Sequence, residues 1–248
     1  MSREDWYRSF FRGSWMDIQK GRDREDLVEP AAAFIEQALA LDAGDRVLDV
    51  PCGEGRLSRA MARRGYRASG IDLNSAPIRA ARRAARAEKL DIELEQGDMR
   101  KIPWRGRFKG AFCWWGSFGY FDEAGNLAFL KSVCRALKPG GRFLLDGHSA
   151  ETIFPQFEPR QWIEEAGTTA LLENHYDVES GRVEMAWTIL KKGRRSRRKS
   201  SIRIYTLREL GELAGIAGFG PVYAFGNLDG EAFDLGASRL LLLAEKPA

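Results

Sequence analysis

The stretch that decides the fold is Val47-Leu48-Asp49-Val50-Pro51-Cys52-Gly53-Glu54-Gly55-Arg56. The apolar residues on either side of Asp49 are typical of a strand that is buried in a parallel sheet. Gly53 and Gly55 remove side chains from the turn that follows, at the point where a ligand would approach the backbone. A helix that begins near Arg56 would direct its free N–H groups at that ligand. The stretch predicts a ligand-binding turn, and by itself it fits any nucleotide.

The composition is that of a chain with mixed charge and few cysteines. Hydrophobic residues make up 44% of the 248 residues, which is enough to fill a core. The 39 basic and 35 acidic residues give a net charge of +4, a mixed surface rather than a basic one. Cys52, Cys113 and Cys134 lie far apart and predict neither a disulfide framework nor a thiolate metal site. With a charged N-terminus and no apolar run of membrane-spanning length, we expect a soluble, cytoplasmic protein without membrane contact.

Strand and helix patterns alternate from residue 46 to residue 147. The predicted elements are strand 46–50, helix 55–64, strand 67–72, helix 75–88, strand 91–96, strand 108–115, helix 122–137 and strand 141–147. Such alternation implies an α/β fold with a doubly wound parallel sheet, helices on both faces and a common edge for the ligand. The last predicted elements are a helix that begins at Thr206 and two strands at 222–225 and 239–245. The two strands raise the number of strands in the sheet to seven.

Two segments outside this alternation are expected to cover the ligand edge. Residues 6–16 carry five aromatic side chains and predict a helical lid, with packing on the core as the alternative. Three alternating stretches, roughly 170–178, 183–191 and 200–205, predict a small antiparallel β-meander. The basic residues 191–199, between the second and third of these stretches, are assigned to a hairpin turn. The expected domains are an N-terminal lid at 1–27, a core formed by 28–154 and 206–248, and a β insertion at 155–205.

Acidic residues follow the second and third strands. Asp72 ends the second strand, where its carboxylate would accept hydrogen bonds from both hydroxyls of a ribose. Capping the next helix is the alternative role of Asp72. The third strand ends in Gly97-Asp98-Met99. There Asp98 would accept from an adenine amino group and Met99 would flank the ring.

The fourth strand runs into an aromatic loop at residues 112–121. Core packing explains Phe112 and Trp114, whereas Trp115, Phe118 and Tyr120 are expected at the rim of the sheet edge. Because this loop lies beside the carboxylates, both tryptophans are candidate cofactor-binding residues.

With these landmarks in order, and with Leu137-Lys138-Pro139-Gly140-Gly141 after them, the sequence resembles the class I S-adenosylmethionine-dependent methyltransferases. The resemblance covers residues 28–147. It rests on the glycine turn after the first strand, the acidic residues after the next two strands and the Lys-Pro-Gly-Gly turn. It implies a mostly parallel seven-stranded sheet whose last strand is antiparallel. One departure is Pro51-Cys52, where many members have Gly and a small or polar residue, although a similar Pro-Cys occurs in a subgroup.

The resemblance implies S-adenosylmethionine as the cofactor, with S-adenosylhomocysteine as its product, and assigns residues to its parts. The methionine part would be held by Asp49, Gly53 and Gly55, the ribose by Asp72, and the purine by Leu73, Asp98 and Met99.

Methyl transfer from a sulfonium needs few catalytic residues. Alignment of the acceptor lowers the activation barrier by up to ~7–11 kcal/mol in favourable reactions. A base raises the reaction rate by about 100- to 10,000-fold when the acceptor is a hydroxyl or an ammonium. His148 is the candidate base because the fifth strand delivers it to the cofactor edge, with a hydrogen bond to the insertion as its alternative role. Tyr7 in the lid and Tyr176 in the meander are the other catalytic candidates. The two histidines stand far apart, so no metal is expected.

We therefore expect a methyltransferase that acts on N or O of a small-molecule acceptor, as a monomer or homodimer. RNA methylation is one alternative, because of the basic stretch. Against nucleic acid, the fourth-strand loop lacks the Asn/Asp-Pro-Pro-aromatic pattern of enzymes that methylate base amino groups. A nicotinamide-dependent oxidoreductase and a non-catalytic nucleotide-binding module are alternatives of another class, because both use a glycine turn and an acid after the second strand.

Overall fold

The computed structural model describes residues 6–11, 15, 25–165 and 167–248. The helices are α1 (Tyr7–Phe10), α2 (Val28–Ala38), α3 (Arg56–Arg63), α4 (Ser75–Ala87), α5 (Glu123–Ala136), α6 (Ala150–Ile153) and α7 (Leu207–Ala217). The strands are β1 (Arg46–Asp49), β2 (Arg67–Asp72), β3 (Glu93–Gln96), β4 (Phe108–Cys113), β5 (Leu137–Gly147), β6 (Arg160–Glu165), β7 (Thr168–Asp177), β8 (Arg182–Lys191), β9 (Arg194–Arg203), β10 (Val222–Phe225) and β11 (Leu240–Glu245).

The larger sheet has seven strands in the order β10-β11-β5-β4-β1-β2-β3. The first five strands of the chain pair in parallel, and β1 lies in the middle between β2 and β4. β11 is antiparallel to both of its neighbours, β5 and β10. The predicted mostly parallel sheet with an antiparallel last strand is confirmed. Since the strand order changes direction beside β1, the loop after β1 lies at the crevice where such sheets bind ligands.

Helices bury both faces of this sheet. Val47 packs on one face with Ile35 and Met61, while Leu48 packs on the other face with the cluster that contains Phe129. The alternation of side chains along a strand explains why two adjacent residues serve two cores. Full burial of each such side chain contributes about 1.5–3 kcal/mol, so β1 is fixed rigidly beneath the loop that follows it.

The smaller sheet has four antiparallel strands in the order β6-β7-β8-β9, not the three that the sequence predicted. β6 was missed because the edge strand Arg160–Glu165 carries mostly polar residues and no continuous apolar run. The basic stretch was also wrongly assigned to a turn. Only Lys192 and Gly193 turn the chain, both with positive φ, and the residues from Arg194 onward pair with β8 along its whole length. A two-residue turn of this type is the tight connection that hairpins favour.

The inner face of the smaller sheet packs against the N-terminal aromatic residues. Trp187 on β8 contacts the rings of Phe10 and Trp15, with centroid distances of 5.9 and 4.6 Å. Arg198 on β9 donates hydrogen bonds to the carbonyl oxygens of Ser9 and Phe10. The short helix α1 is therefore attached to the smaller sheet. The rest of the predicted lid at 1–27 lies largely outside the described residues.

Candidate functional site

A cavity of about 190 Å³ opens at the carboxyl ends of β1, β2 and β4. It is lined by the loop after β1, by residues that follow β2 and β3, by the aromatic loop after β4 and by α1. The lining residues include Tyr7, Asp49, Gly53, Glu54, Arg56, Asp72, Leu73, Asp98, Met99, Trp114, Trp115, Ser117, Tyr120 and Phe121. Eight of the nine predicted cofactor-binding residues thus lie around one space, and Gly55 is the exception.

The two glycines of the loop after β1 have different roles. Gly53 has φ +52 and open space where a side chain would begin, and its N–H donates to Asp72 Oδ2 at 3.0 Å. Gly55 has φ +70 and precedes α3, and a Cβ there would lie 3.0 Å from the Cβ of Ala81 on α4. Gly53 therefore leaves room at the cavity, whereas Gly55 permits two helices to approach each other.

The carboxyl group of Asp49 is buried at the base of the cavity. Its Oδ2 accepts a hydrogen bond of 2.6 Å from the Ser58 hydroxyl. Burial raises the pKa of Asp49 to about 7; the hydrogen bonds from Ser58 oppose this shift, and the nearby charge of Asp72 adds to it. An ionised Asp49 lacks a cationic partner among the described residues, so the site favours a cation at this position.

Asp72 accepts two backbone hydrogen bonds at the end of β2. Its Oδ1 accepts from the Asn74 N–H at 2.8 Å, and its Oδ2 accepts from the Gly53 N–H. Burial raises the pKa of this carboxyl group, against the lowering effect of those two donors. Asp72 therefore supports the turn before α4 and fixes the glycine loop, and it also lines the cavity.

Asp98 is paired with Arg100, a residue that no sequence motif singles out. Arg100 Nη2 lies 2.6 Å from Asp98 Oδ2, and its Nε lies 3.0 Å from Oδ1. Burial alone would raise the pKa of Asp98, but the hydrogen bonds and charge of Arg100 outweigh it and lower the pKa. The guanidinium carbon of Arg100 also lies 4.2 Å from the ring centroid of Phe121. The only sequence signal was an arginine two residues after the acid.

The aromatic loop after β4 contributes one buried and one exposed tryptophan. Trp114 is buried, whereas Trp115 is 38% exposed and adopts φ +63, an uncommon conformation for a bulky residue. The Trp115 N–H donates to Asp146 Oδ2 at 2.8 Å, which holds the turn in place. Phe118 was expected at the rim but is 5% exposed, because its ring packs on Phe129 in the core.

The N-terminal helix covers part of the cavity. Tyr7 lines the cavity, and its ring meets the ring of Phe121 edge-on at 5.0 Å. Trp6 packs in the same way against Tyr120, at 4.9 Å. The structure thus brings one of the three catalytic candidates, Tyr7, to the space that the cofactor candidates line.

The other two catalytic candidates lie elsewhere. His148 is exposed and lines a second cavity of about 480 Å³, which shares Trp115 with the first and also contains Asp146 and Arg239. Tyr176 lines neither cavity, and its ring packs against Phe154 at 4.6 Å. Alternation along β7 places Tyr176 on the same face as the buried Ala170 and Leu172, so facing alone does not bring a residue of this strand to a cavity.

Carboxylates dominate the first cavity. Asp49, Glu54, Asp72 and Asp98 line it, and Arg56 is the basic residue in its lining. Arg100 neutralises Asp98, which leaves three acids and one base facing the same space.

Within the described ranges, no group of three or more His, Cys, Asp or Glu side chains is arranged to hold a metal ion. No helix in the same ranges is long and apolar enough to cross a membrane.

Comparison with known protein families finds a match to the family described as "Methyltransferase domain", over residues 47–141. A curated relative, a ubiquinone biosynthesis O-methyltransferase from Nitrosococcus oceani, is 36% identical over 110 residues, which are 40% of this chain and 42% of that protein. The match spans less than half the length of the relative. The similarity therefore extends over less than half of either protein.

Solved structures resemble the chain over nearly its whole length. An S-adenosylmethionine-dependent methyltransferase from Clostridium acetobutylicum has a TM-score of 0.80 at 17% identity, with 98% of this chain and 99% of that chain covered. CalS10, an amino pentose methyltransferase from Micromonospora echinaspora, has a TM-score of 0.70 at 21% identity, with 95% and 97% covered. At these identities the likeness concerns the fold. Residues 47–141 are therefore similar to a methyltransferase domain, and the fold over nearly the whole chain is that of these solved methyltransferases.

Proposed function

We propose that the protein transfers a methyl group from S-adenosylmethionine to a nitrogen or oxygen atom of a small-molecule acceptor. The observation that carries the proposal is the charge of the first cavity, where three acids without a paired base face a space with one arginine. Such a space attracts a cation.

The charge of the cavity distinguishes the candidate cofactors. S-adenosylmethionine carries a sulfonium, an ammonium and one carboxylate, so its net charge is positive. A nicotinamide dinucleotide carries a diphosphate, which the carboxylates of Asp49, Glu54 and Asp72 would repel. The open space beside Gly53 leaves room for a ligand to approach the backbone. The acidic lining therefore supports the methyl donor over the dinucleotide.

Each acidic residue would then serve one part of the cofactor. Asp49 would accept hydrogen bonds from the ammonium, and Asp72 would accept them from the ribose hydroxyls. Asp98, held by Arg100, would lie at the adenine, with Met99 and Leu73 against the ring. When bound, the cofactor supplies an activated methyl group on sulfur. The chain's contribution is to align the acceptor behind that group and to exclude water.

Coverage by aromatic residues supports an acceptor of modest size. Trp6 and Tyr7 of the N-terminal segment pack on Tyr120 and Phe121 above the cavity. A polymer would have to displace these rings, whereas a small molecule would fit beneath them. One similar protein is called an O-methyltransferase and another an amino pentose methyltransferase, so both oxygen-bearing and nitrogen-bearing acceptors occur in their names. We therefore propose nitrogen or oxygen as the acceptor atom.

Tyr7 is our first candidate for a group that touches the acceptor, because it lines the first cavity. His148 would act on an acceptor that extends past Trp115 into the second cavity. Replacing Tyr7 by Phe and His148 by Gln separates the two roles. A residue that accepts the proton lowers kcat when it is replaced, and one that only binds the acceptor raises KM.

The cofactor assignment is tested by calorimetry with S-adenosylmethionine, S-adenosylhomocysteine and NAD. We expect binding of the first two ligands and none of NAD. Asp72→Asn should weaken binding on the order of 10- to 100-fold, because it removes a charged hydrogen-bond acceptor. Glu95→Gln on β3 is a matched control, since Glu95 is exposed at the neighbouring strand and outside the cavity. NAD binding that depends on Asp72 would contradict the proposal.

The acceptor is identified by screening small amines and hydroxyl compounds for release of S-adenosylhomocysteine. Methylated product is then located by mass spectrometry. Turnover on a small acceptor, lost in Asp72→Asn and retained in Glu95→Gln, is the expected result. Turnover on RNA oligonucleotides alone would overturn the small-molecule assignment and keep the cofactor assignment.

A further inference from the structure

Arg56 is the basic residue among the described residues that line the first cavity. It is the first residue of α3 and directly follows the glycine loop. The side chains of Asp49, Glu54 and Asp72 line the same space. A carboxylate of a ligand in this cavity is therefore attracted beside Arg56 and repelled beside the three acids.

The guanidinium group of Arg56 lies over the ring of Trp115. The distance from its central carbon to the centroid of that ring is 5.6 Å. A guanidinium binds an aromatic ring through its flat face, whereas its N–H groups lie in its plane. It carries five N–H donors, and a carboxylate binds two of them side by side. The contact with Trp115 thus orients Arg56 and is compatible with a bound carboxylate.

The ring of Trp115 is itself held by a pair of charged residues. Its N–H donates to Asp146, and Asp146 accepts two further hydrogen bonds from Arg239, at 2.8 and 3.1 Å. The guanidinium carbon of Arg239 lies 5.9 Å from the same ring. Because Arg239 compensates the charge of Asp146, this acid fixes Trp115 without attracting Arg56.

The backbone of Trp115 is strained, since a bulky residue rarely adopts a φ of +63. Strain of this kind persists where the surrounding structure fixes the residue, and it is concentrated at ligand sites. The support beneath Arg56 is therefore rigid before any ligand enters the cavity.

The first turn of α3 connects Arg56 with the acid at the base of the cavity. Ser58, two residues after Arg56, donates a hydrogen bond of 2.6 Å to Asp49. Two residues of a helix differ by about 3 Å along its axis. The ammonium and the carboxylate of an amino acid are bonded to one carbon atom, so the groups that receive them have to be neighbours. One helical turn fixes such a pair here.

We propose that Arg56 binds the α-carboxylate of the amino-acid part of the cofactor and makes the site selective for cofactors that carry this group. This role rests on the proposed function, in which Asp49 receives the ammonium of the same part. The two contacts hold the amino-acid part at both of its charged groups. Arg56 is thus a specificity-determining residue of the first cavity.

The test compares two ligands, S-adenosylmethionine and its decarboxylated form, by calorimetry on the full chain. Both ligands contain the adenosine, the sulfonium and the ammonium, and only the first contains the carboxylate. Arg56→Met should weaken binding of S-adenosylmethionine on the order of 10- to 100-fold, the range that corresponds to a charged hydrogen bond. The same variant should keep or strengthen binding of the decarboxylated form, because a positive charge is removed from a site that receives a dication.

Further measurements serve as controls. Arg56→Lys keeps the charge but lacks the two parallel donors, so it should weaken binding of S-adenosylmethionine on the order of tenfold or less. Methylthioadenosine lacks the whole amino-acid part and should bind to the wild type and to both variants with equal affinity. Arg79→Met is the matched control, since Arg79 is an exposed arginine on α4 outside the cavity. It should leave the affinity for all three ligands unchanged.

Two outcomes would overturn the role of Arg56 alone. One is an equal loss of affinity for all three ligands in Arg56→Met, which is the signature of a structural residue. The other is unchanged binding of S-adenosylmethionine in that variant. In both cases the wild type still binds S-adenosylmethionine, so the proposed function stands. A wild type that does not bind S-adenosylmethionine overturns the proposed function, and the role of Arg56 with it.

Discussion

The buried carboxyl group of Asp49 has no cation beside it in the described structure. Its pKa of about 7 lies well above the ordinary value of 3.8. In the absence of ligand, the folded protein therefore binds a proton at Asp49 more tightly than the unfolded chain does. The stability that this proton contributes is present at low pH and is lost as the pH rises towards 7. A cationic cofactor reverses the preference, because it favours the ionised form.

We therefore predict that the affinity for S-adenosylmethionine rises about tenfold between about pH 6 and pH 8, since the ionised fraction of Asp49 rises through its pKa in this interval. Calorimetry at each pH measures the affinity. Asp49→Asn should bind weakly at every pH. Without ligand at pH 8, the same variant should unfold at a higher urea concentration than the wild type. The expected gain in the free energy of unfolding is up to about 4 kcal/mol. A wild-type affinity that does not change with pH contradicts this prediction.

Gly119 is a residue where tertiary structure forbids a side chain. It has φ +89, and a Cβ would lie 2.5 Å from the carbonyl oxygen of Arg203 on β9. We predict that Gly119→Ala destabilises the protein by about 2–4 kcal/mol, the sum of backbone strain and a forced shift of the two segments. Gly44→Ala is the matched control, since Gly44 has φ +82 and nothing within 4 Å. It should cost about 1 kcal/mol. Equal losses for the two variants in urea unfolding would show that the contact with Arg203 is unimportant.

At the scale of elements, the attachment of α1 to β9 connects the insertion to the cavity. Arg198 donates to the carbonyl oxygens of Ser9 and Phe10 at the end of α1, and Tyr7 of the same helix lines the cavity. We predict that Arg198→Met increases amide exchange of residues 6–11 on the order of tenfold, because charge-assisted hydrogen bonds of about 1.5–3 kcal/mol are lost. Exchange detected by mass spectrometry measures the effect.

Arg194→Met is the control for that experiment. Arg194 is an exposed arginine on the same strand that makes no ion pair within the described residues. It should leave exchange in residues 6–11 unchanged. If Arg198→Met also leaves that exchange unchanged, the aromatic contacts with Trp187 hold α1 without the arginine.

At the scale of the whole molecule, arginines connect the two sheets through the aromatic loop after β4. Arg182 on β8 donates to the carbonyl oxygens of Gly119, Tyr120 and Phe121, the first two at 3.3 Å and the last at 2.8 Å. Arg203 on β9 bonds Glu123 of α5 and Glu209 of α7. Charged hydrogen bonds that span the two sheets favour unfolding as one unit.

We predict one thermal transition, with the same midpoint by circular dichroism and by tryptophan fluorescence. S-adenosylhomocysteine at 100 times its dissociation constant should stabilise the protein by about 2.7 kcal/mol, because the ligand binds only the folded state. The ligand should shift the whole thermal transition to higher temperature. A separate early transition that the ligand does not move would show that the insertion unfolds independently of the core. The lid, core and insertion boundaries stay predictions until that measurement is made.

Local sequence patterns determined the parallel sheet and most of the first cavity. The apolar run before Asp49, the glycines after it and the acids at Asp72 and Asp98 each belong to a strand end. Parallel strands that follow one another with right-handed crossovers have their carboxyl ends at one edge, so these residues meet whatever the remaining packing. This is why eight of nine predicted cofactor residues lie around one space.

Only the tertiary structure decided which residues from distant segments meet. β6 and the basic strand β9 carry no apolar run, and they are strands because β7 and β8 supply their hydrogen-bond partners. Tyr176 packs against Phe154 outside both cavities, although it lies on the inner face of its strand, whereas packing placed Tyr7 at the first cavity and His148 at the second. The pairing of Asp98 with Arg100 joins residues only two positions apart, but it depends on the side-chain geometry of the turn after β3. Side-chain periodicity and turn chemistry are local and can be read from sequence, whereas the partners of polar strands and the contacts between distant segments depend on how the whole chain packs.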